Sequence, residues 1–89
     1  MPVISMFYGI VVMMFYMDNK EHKLPHIHVR YQGKKSVFEI PSGRLLSGKI
    51  PSNKRKLLEA WIEIHQLELM KDWELAVRGA KPVKIKPLI

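Results

Sequence analysis

Ile4-Ser5-Met6-Phe7-Tyr8-Gly9-Ile10-Val11-Val12-Met13-Met14-Phe15-Tyr16-Met17 decides the fold, because so long an apolar run reads either as a membrane-crossing helix or as paired strands. No side chain from Met1 to Met17 is charged. A spanning helix needs roughly 20 apolar residues, and this run barely reaches the lower limit while containing Pro2, Ser5 and Gly9. A secretory signal has a basic start and a small-residue cleavage site, whereas Asp18 and Asn19 follow this run directly. β-Branched and aromatic residues dominate both sides of Gly9, which marks a bulge, a bend or a tight turn. The reading is therefore two strands, Ile4 to Tyr8 and Ile10 to Met17, and no membrane span.

Outward from this run, Asp18 to Lys23 is a polar connection. Pro25 then sets up an extended segment from His26 to Gln32 that ends at Gly33. Further strands are expected from Ser36 to Ile40 and, after the Pro41-Ser42-Gly43 turn, from Arg44 to Ile50 at a sheet edge. Pro51-Ser52-Asn53 leads into a helix. From Lys54 to Arg78, the positions Leu58, Trp61, Ile62, His65, Leu69, Trp73 and Ala76 recur at steps of three and four, one face of an α-helix, and Gly79 supplies the stop. One helix of that length would reach roughly 37 Å at 1.5 Å per residue, so a bend near His65 or a break into two helices is considered. Pro82 to Pro87 alternates Val83 and Ile85 with Lys84 and Lys86, the pattern of a short basic edge strand or an arm.

These elements predict an α+β fold. A small antiparallel sheet of three to five strands, from the N-terminal half with a C-terminal strand at 82–87 as an option, packs on one long or bent C-terminal helix. With 89 residues and no break in composition, residues 1–89 form a single domain around one core. The strand Ile10 to Met17 is apolar on both faces and wants cover on both. One helical region covers one face, which leaves the other to a second subunit, to a partner, or to a sheet curled over itself.

Composition narrows the chemistry. A hydrophobic share of 47% with 26% charged residues is that of a globular chain rather than a disordered one. The absence of cysteine removes disulfides, thiolate metal ligands and a cysteine nucleophile together. The net charge of +7 is unevenly placed: residues 1–56 hold ten basic and three acidic side chains, 57–78 two and five, and 79–89 three and none. Such a field suits a polyanion, RNA or DNA, or an acidic protein partner.

Three constellations could carry function. In Pro25-His26-Ile27-His28-Val29-Arg30-Tyr31 the period of a strand places His26, His28 and Arg30 on one face and Ile27, Val29 and Tyr31 on the core face. Two imidazoles so spaced can clasp zinc or another divalent ion, with Asp18 or His22 completing the site. They can equally serve as catalytic acid and base on a phosphodiester, with Arg30 holding the phosphate, and pairs of this kind also occur as plain surface residues. The alternation resembles the histidine triad of nucleotide hydrolases, but Arg30 stands where the third histidine belongs. Lys54, Arg55 and Lys56 fill the first helical turn, where the macrodipole disfavours cations. With the free N–H groups of a helix start they form a candidate phosphate cradle; the competing reading is three solvated side chains pointing apart. His65, between Trp61 and Leu69, reads as a hydrogen-bonded core histidine. Gly43 to Ile50 has most of the spacing of a phosphate-binding loop, but Ile50 replaces the magnesium-holding hydroxyl residue and Pro51 interrupts the helix that should begin there.

Met1-Pro2-Val3-Ile4-Ser5-Met6-Phe7-Tyr8-Gly9-Ile10, Asp18-Asn19 leading to Pro25-His26-Ile27-His28-Val29, Trp61-Ile62-Glu63-Ile64-His65 and Trp73-Glu74 together resemble the small bacterial family catalogued as domain of unknown function 4160. The resemblance covers nearly the whole chain. It implies a cytoplasmic bacterial protein, often encoded beside another small domain of unknown function in an arrangement like a toxin and antitoxin pair, and it singles out His26 and His28, with His65 and Trp73 as helix marks. No activity comes with it. The leading expectation is thus a basic partner-binding module that contacts nucleic acid through Arg30, Lys54, Arg55 and Lys56. The alternatives are a metal-binding or phosphodiester-hydrolysing protein built on His26 and His28, and a homodimer closed over the open sheet face.

Overall fold

The computed structural model describes residues 2–15 and 24–88. Its strands are β1 (Val3–Phe7), β2 (Ile10–Met13), β3 (His26–Tyr31), β4 (Lys34–Glu39) and β5 (Leu45–Gly48), followed by helices α1 (Ser52–Ile64) and α2 (Gln66–Val77). The strands form one antiparallel meander in the order β1-β2-β3-β4-β5, so the α+β expectation holds with five strands. The two tight hairpins share one turn chemistry. Tyr8 and Gly9 have φ of 49° and 78°, and Gln32 and Gly33 have 47° and 77°; positive φ at both central residues matches the right-handed twist of the flanking strands. The second turn fixes the register of β3 on β4, with Tyr31 opposite Lys34 and Arg30 opposite Lys35.

Both helices pack on one face of the sheet. Ile4, Phe7, Ile10 and Val12 from β1 and β2, Ile27 and Val29 from β3, and Phe38 from β4 meet Leu58, Trp61, Ile62, Leu69 and Ala76 in one buried cluster. Trp61 is fully enclosed at its centre, with its ring 5.3 Å from that of Phe7 and its Nε1 donating to the Lys86 carbonyl at 2.9 Å. A buried indole of this kind needs a partner for its N–H.

One expectation is corrected, and one choice between alternatives is decided. The helical region is two helices rather than one long or bent helix: His65, at φ −109° and ψ 28°, separates them. A continuous helix over 54–78 would run about 37 Å, longer than the 33 Å of the whole molecule, and the break lets both halves lie on the sheet. His65 holds the junction. Its N–H bonds to the Trp61 carbonyl, its carbonyl receives Leu69 N–H, and its ring bonds Glu68 Oε1 at 2.6 Å, which seats an acid at the positive end of α2. The C-terminal residues 80–88 are an arm and not a strand. Ile85 N–H donates to the Ile4 carbonyl, but Val83 N–H goes to Asp72 Oδ1 and the Lys86 carbonyl to Trp61. Asp72 thus takes a backbone N–H that a sixth strand would have offered to β1. No helix among the described residues is long and apolar enough to cross a membrane.

Candidate functional site

The sheet face turned away from the helices carries the candidate site. Strand alternation places Val11, Met13, His28, Arg30, Lys35 and Val37 there, as the pairings Val11 with Arg30, Met13 with His28, and His28 with Val37 require. A cavity of about 290 Å³ lies on this face, lined by Met13, Phe15, His28, Val29, Arg30 and Lys35. Its floor is apolar and aromatic, with the Phe15 ring 4.3 Å from that of His28. Its cations are Arg30 and Lys35, set directly opposite each other on β3 and β4. Like charges facing across a sheet cost stability, and no carboxylate lines the cavity among the described residues. An anion between the two cations would offset the repulsion.

The predicted histidine pair divides. His28 lines the cavity, whereas His26 is 1% exposed and lies in ring contact with Trp73 of α2 at 5.0 Å and with His28 at 5.3 Å. Phe15, His28, His26 and Trp73 thereby form a chain of four rings from the open face to the helix layer. His26 Nδ1 is 2.8 Å from the Leu24 carbonyl, which can only accept, so Nδ1 carries the proton. Asp18 and His22 lie outside the described residues. Among the described residues no group of three His, Cys, Asp or Glu side chains is placed to hold a metal ion.

The three cations of α1 do not converge. The helix starts at Ser52, two residues earlier than the periodicity suggests, and Lys54 reaches back to the sheet with its Nζ 5.7 Å from the Tyr8 ring centre and 5.8 Å from that of Tyr31. Arg55 bonds Glu59 at 3.3 Å and lies 6.0 Å from the Phe38 ring. Lys56 is exposed. Tyr31 belongs to the packed side of β3, so Lys54 and Arg30 serve opposite faces of the sheet. Sequence reasoning found His28 and Arg30 but missed Lys35, Met13 and Phe15. The missing signal was the register: a two-residue turn at Gln32-Gly33 brings Lys35 opposite Arg30.

A five-stranded antiparallel meander with both helices on one face and a basic, ring-floored cavity on the other defines a small α+β module whose second sheet face, among the described residues, carries no helix. Residues 9–74 match the family described as domain of unknown function 4160, and the chain belongs to that family. No curated protein and no solved structure matches it.

Proposed function

We propose that this protein is a binding module that contacts nucleic acid through the open face of its sheet, with Arg30 and Lys35 on phosphate and the Phe15–His28 floor against a base. The observation that carries this reading is the direct opposition of Arg30 and Lys35 at the rim of a cavity with an aromatic floor. Single-stranded nucleic acid offers both partners at once, since backbone anions meet cations while unpaired bases stack on rings. The net charge of +7 adds long-range attraction. Titration of a labelled single-stranded oligonucleotide at several salt concentrations tests it, because phosphate contacts make affinity fall steeply with salt. Absent or salt-insensitive binding removes the proposal.

A second reading rests on His26. Its Nδ1–H donates to the Leu24 carbonyl, the kind of contact that orients imidazoles whose Nε2 binds a metal, and the His28 ring is 5.3 Å away. In this reading His26 and His28 hold zinc, with Asp18 or His22 as further ligands, and a bound water supplies hydrolytic chemistry. Zinc titration of the metal-stripped protein, followed at the imidazole nitrogens by NMR, separates the two. Stoichiometric change at His26 and His28, with or without His22, favours the metal site, and unchanged spectra dismiss it.

A further inference from the structure

We infer that the outer edge of β1 is a docking groove for an extended acidic peptide segment of a partner protein, which adds a strand to the sheet. β1 is an edge strand, and its sequence Val-Ile-Ser-Met-Phe carries no charge. Exposed strand edges are normally guarded by charged side chains, proline or cover, because their unpaired N–H and C=O groups recruit other strands.

Here the cover is incomplete. Phe7 and Ile10 flank the two-residue turn and pair with each other, so the backbone groups of Ile4 and Met6 point away from β2. The C-terminal arm takes the Ile4 carbonyl through Ile85 N–H. Among the described residues no other backbone bond joins the arm to β1, and Met6 has its side chain 59% exposed. Between the arm and the strand lies a cavity of about 380 Å³.

The chemistry of its walls selects the occupant. Val3, Met6, Ile85 and Pro87 give apolar surface, Lys84 and Lys86 stand on the arm, and no carboxylate lines the cavity among the described residues. Ser5, also in its wall, has a buried hydroxyl without a hydrogen-bond partner. A second copy of this chain would bring a β1 and an arm without Asp or Glu, and so no carboxylate side chain from either for Lys84 and Lys86. A strand with apolar residues facing the groove and carboxylates facing the two lysines satisfies the backbone edge and the charge together.

The test uses the full chain and a labelled peptide alternating valine and glutamate, with a valine–lysine peptide as control. Fluorescence anisotropy should show binding of the acidic peptide alone. Lys84→Glu with Lys86→Glu, both exposed, should weaken it about tenfold without changing the melting temperature. Hydrogen exchange should show the Met6 amide protected only when the peptide is present. No binding of the acidic peptide, equal binding of the lysine peptide, or an unprotected Met6 amide would overturn the inference. So would a dimer in sedimentation with Met6 already protected, since a second copy would then own the edge.

Discussion

Arg30 and Lys35 stand directly opposite each other across the β3–β4 hairpin, two cations at neighbouring positions on one face of the sheet. Such a pair is a local cost to the fold, and Lys35→Glu should turn it into an attractive pair. We expect the variant to be more stable than the parent by roughly 0.2–1 kcal/mol in chemical denaturation while binding single-stranded nucleic acid more weakly. A variant that is both less stable and unchanged in binding contradicts the role given to this pair.

Gly48 ties the site to the edge of the sheet. It has φ of +83°, and a Cβ placed there would lie 2.2 Å from the Lys35 carbonyl oxygen and 2.7 Å from Ser36 Cα. Backbone cannot yield as a flexible side chain does, so Gly48→Ala must displace β5 from β4. The expected loss is about 1–3 kcal/mol for the backbone conformation alone, read as a lower denaturation midpoint, with weaker oligonucleotide binding because Lys35 moves.

Asp72 sets a pH dependence. Its carboxyl is 2% exposed; burial raises its pKa above the usual aspartate value, the Val83 N–H opposes the rise, and the nearby Glu68 charge adds to it. The folded protein therefore holds this proton more tightly than the unfolded chain. The stability owed to Asp72 is present at low pH and is lost as pH climbs from about 3.9, the unperturbed value, through the raised one. Asp72→Asn keeps an oxygen for Val83 N–H and carries no charge. Its stability relative to the parent should rise with pH and level off once pH exceeds the raised pKa, in urea denaturation followed across pH. A constant difference across the range would show that Asp72 does not titrate in this way.

His26 and His28 should respond differently to truncation. His26 is enclosed between Trp73 and His28, so His26→Ala opens a cavity and costs about 2–4 kcal/mol, as large-to-small core changes do. His28 faces the open cavity, and His28→Ala should cost less than about 1.5 kcal/mol while weakening oligonucleotide binding. Equal thermal shifts for the two variants would contradict the division of the pair.

Much of this arrangement was legible in the residues. β-Branched and aromatic composition separated strands from a membrane span in the run that holds β1 and β2, although Tyr16 and Met17 lie outside the described residues, and helical spacing found the Trp61 and Trp73 face and marked His65 as the weak point. What escaped depends on contacts distant in sequence. Strand alternation alone put His26 beside His28 on an outer face, but Trp73 from α2 encloses it. Lys54 read as part of a phosphate cradle, yet Tyr8 and Tyr31 from two other elements hold its ammonium. The alternating Val83-Lys84-Ile85-Lys86 pattern left a strand and an arm open, and the arm forms because Asp72 takes the Val83 N–H that pairing with β1 needed. Lys35 was missed because Gln32 gives no sign in its residue type of the positive φ that closes a two-residue turn and sets the register.

The most direct measurement is a fluorescence anisotropy titration of one labelled single-stranded oligonucleotide with the parent and with Arg30→Glu, Lys35→Glu, between roughly 50 and 200 mM salt. If the open sheet face binds phosphate, the parent binds with a steep salt dependence, and the variant loses affinity and about 0.7 of salt slope for each contact removed. Equal affinity and equal slope for the two proteins would contradict the account, because the opposed cations would then have no part in binding.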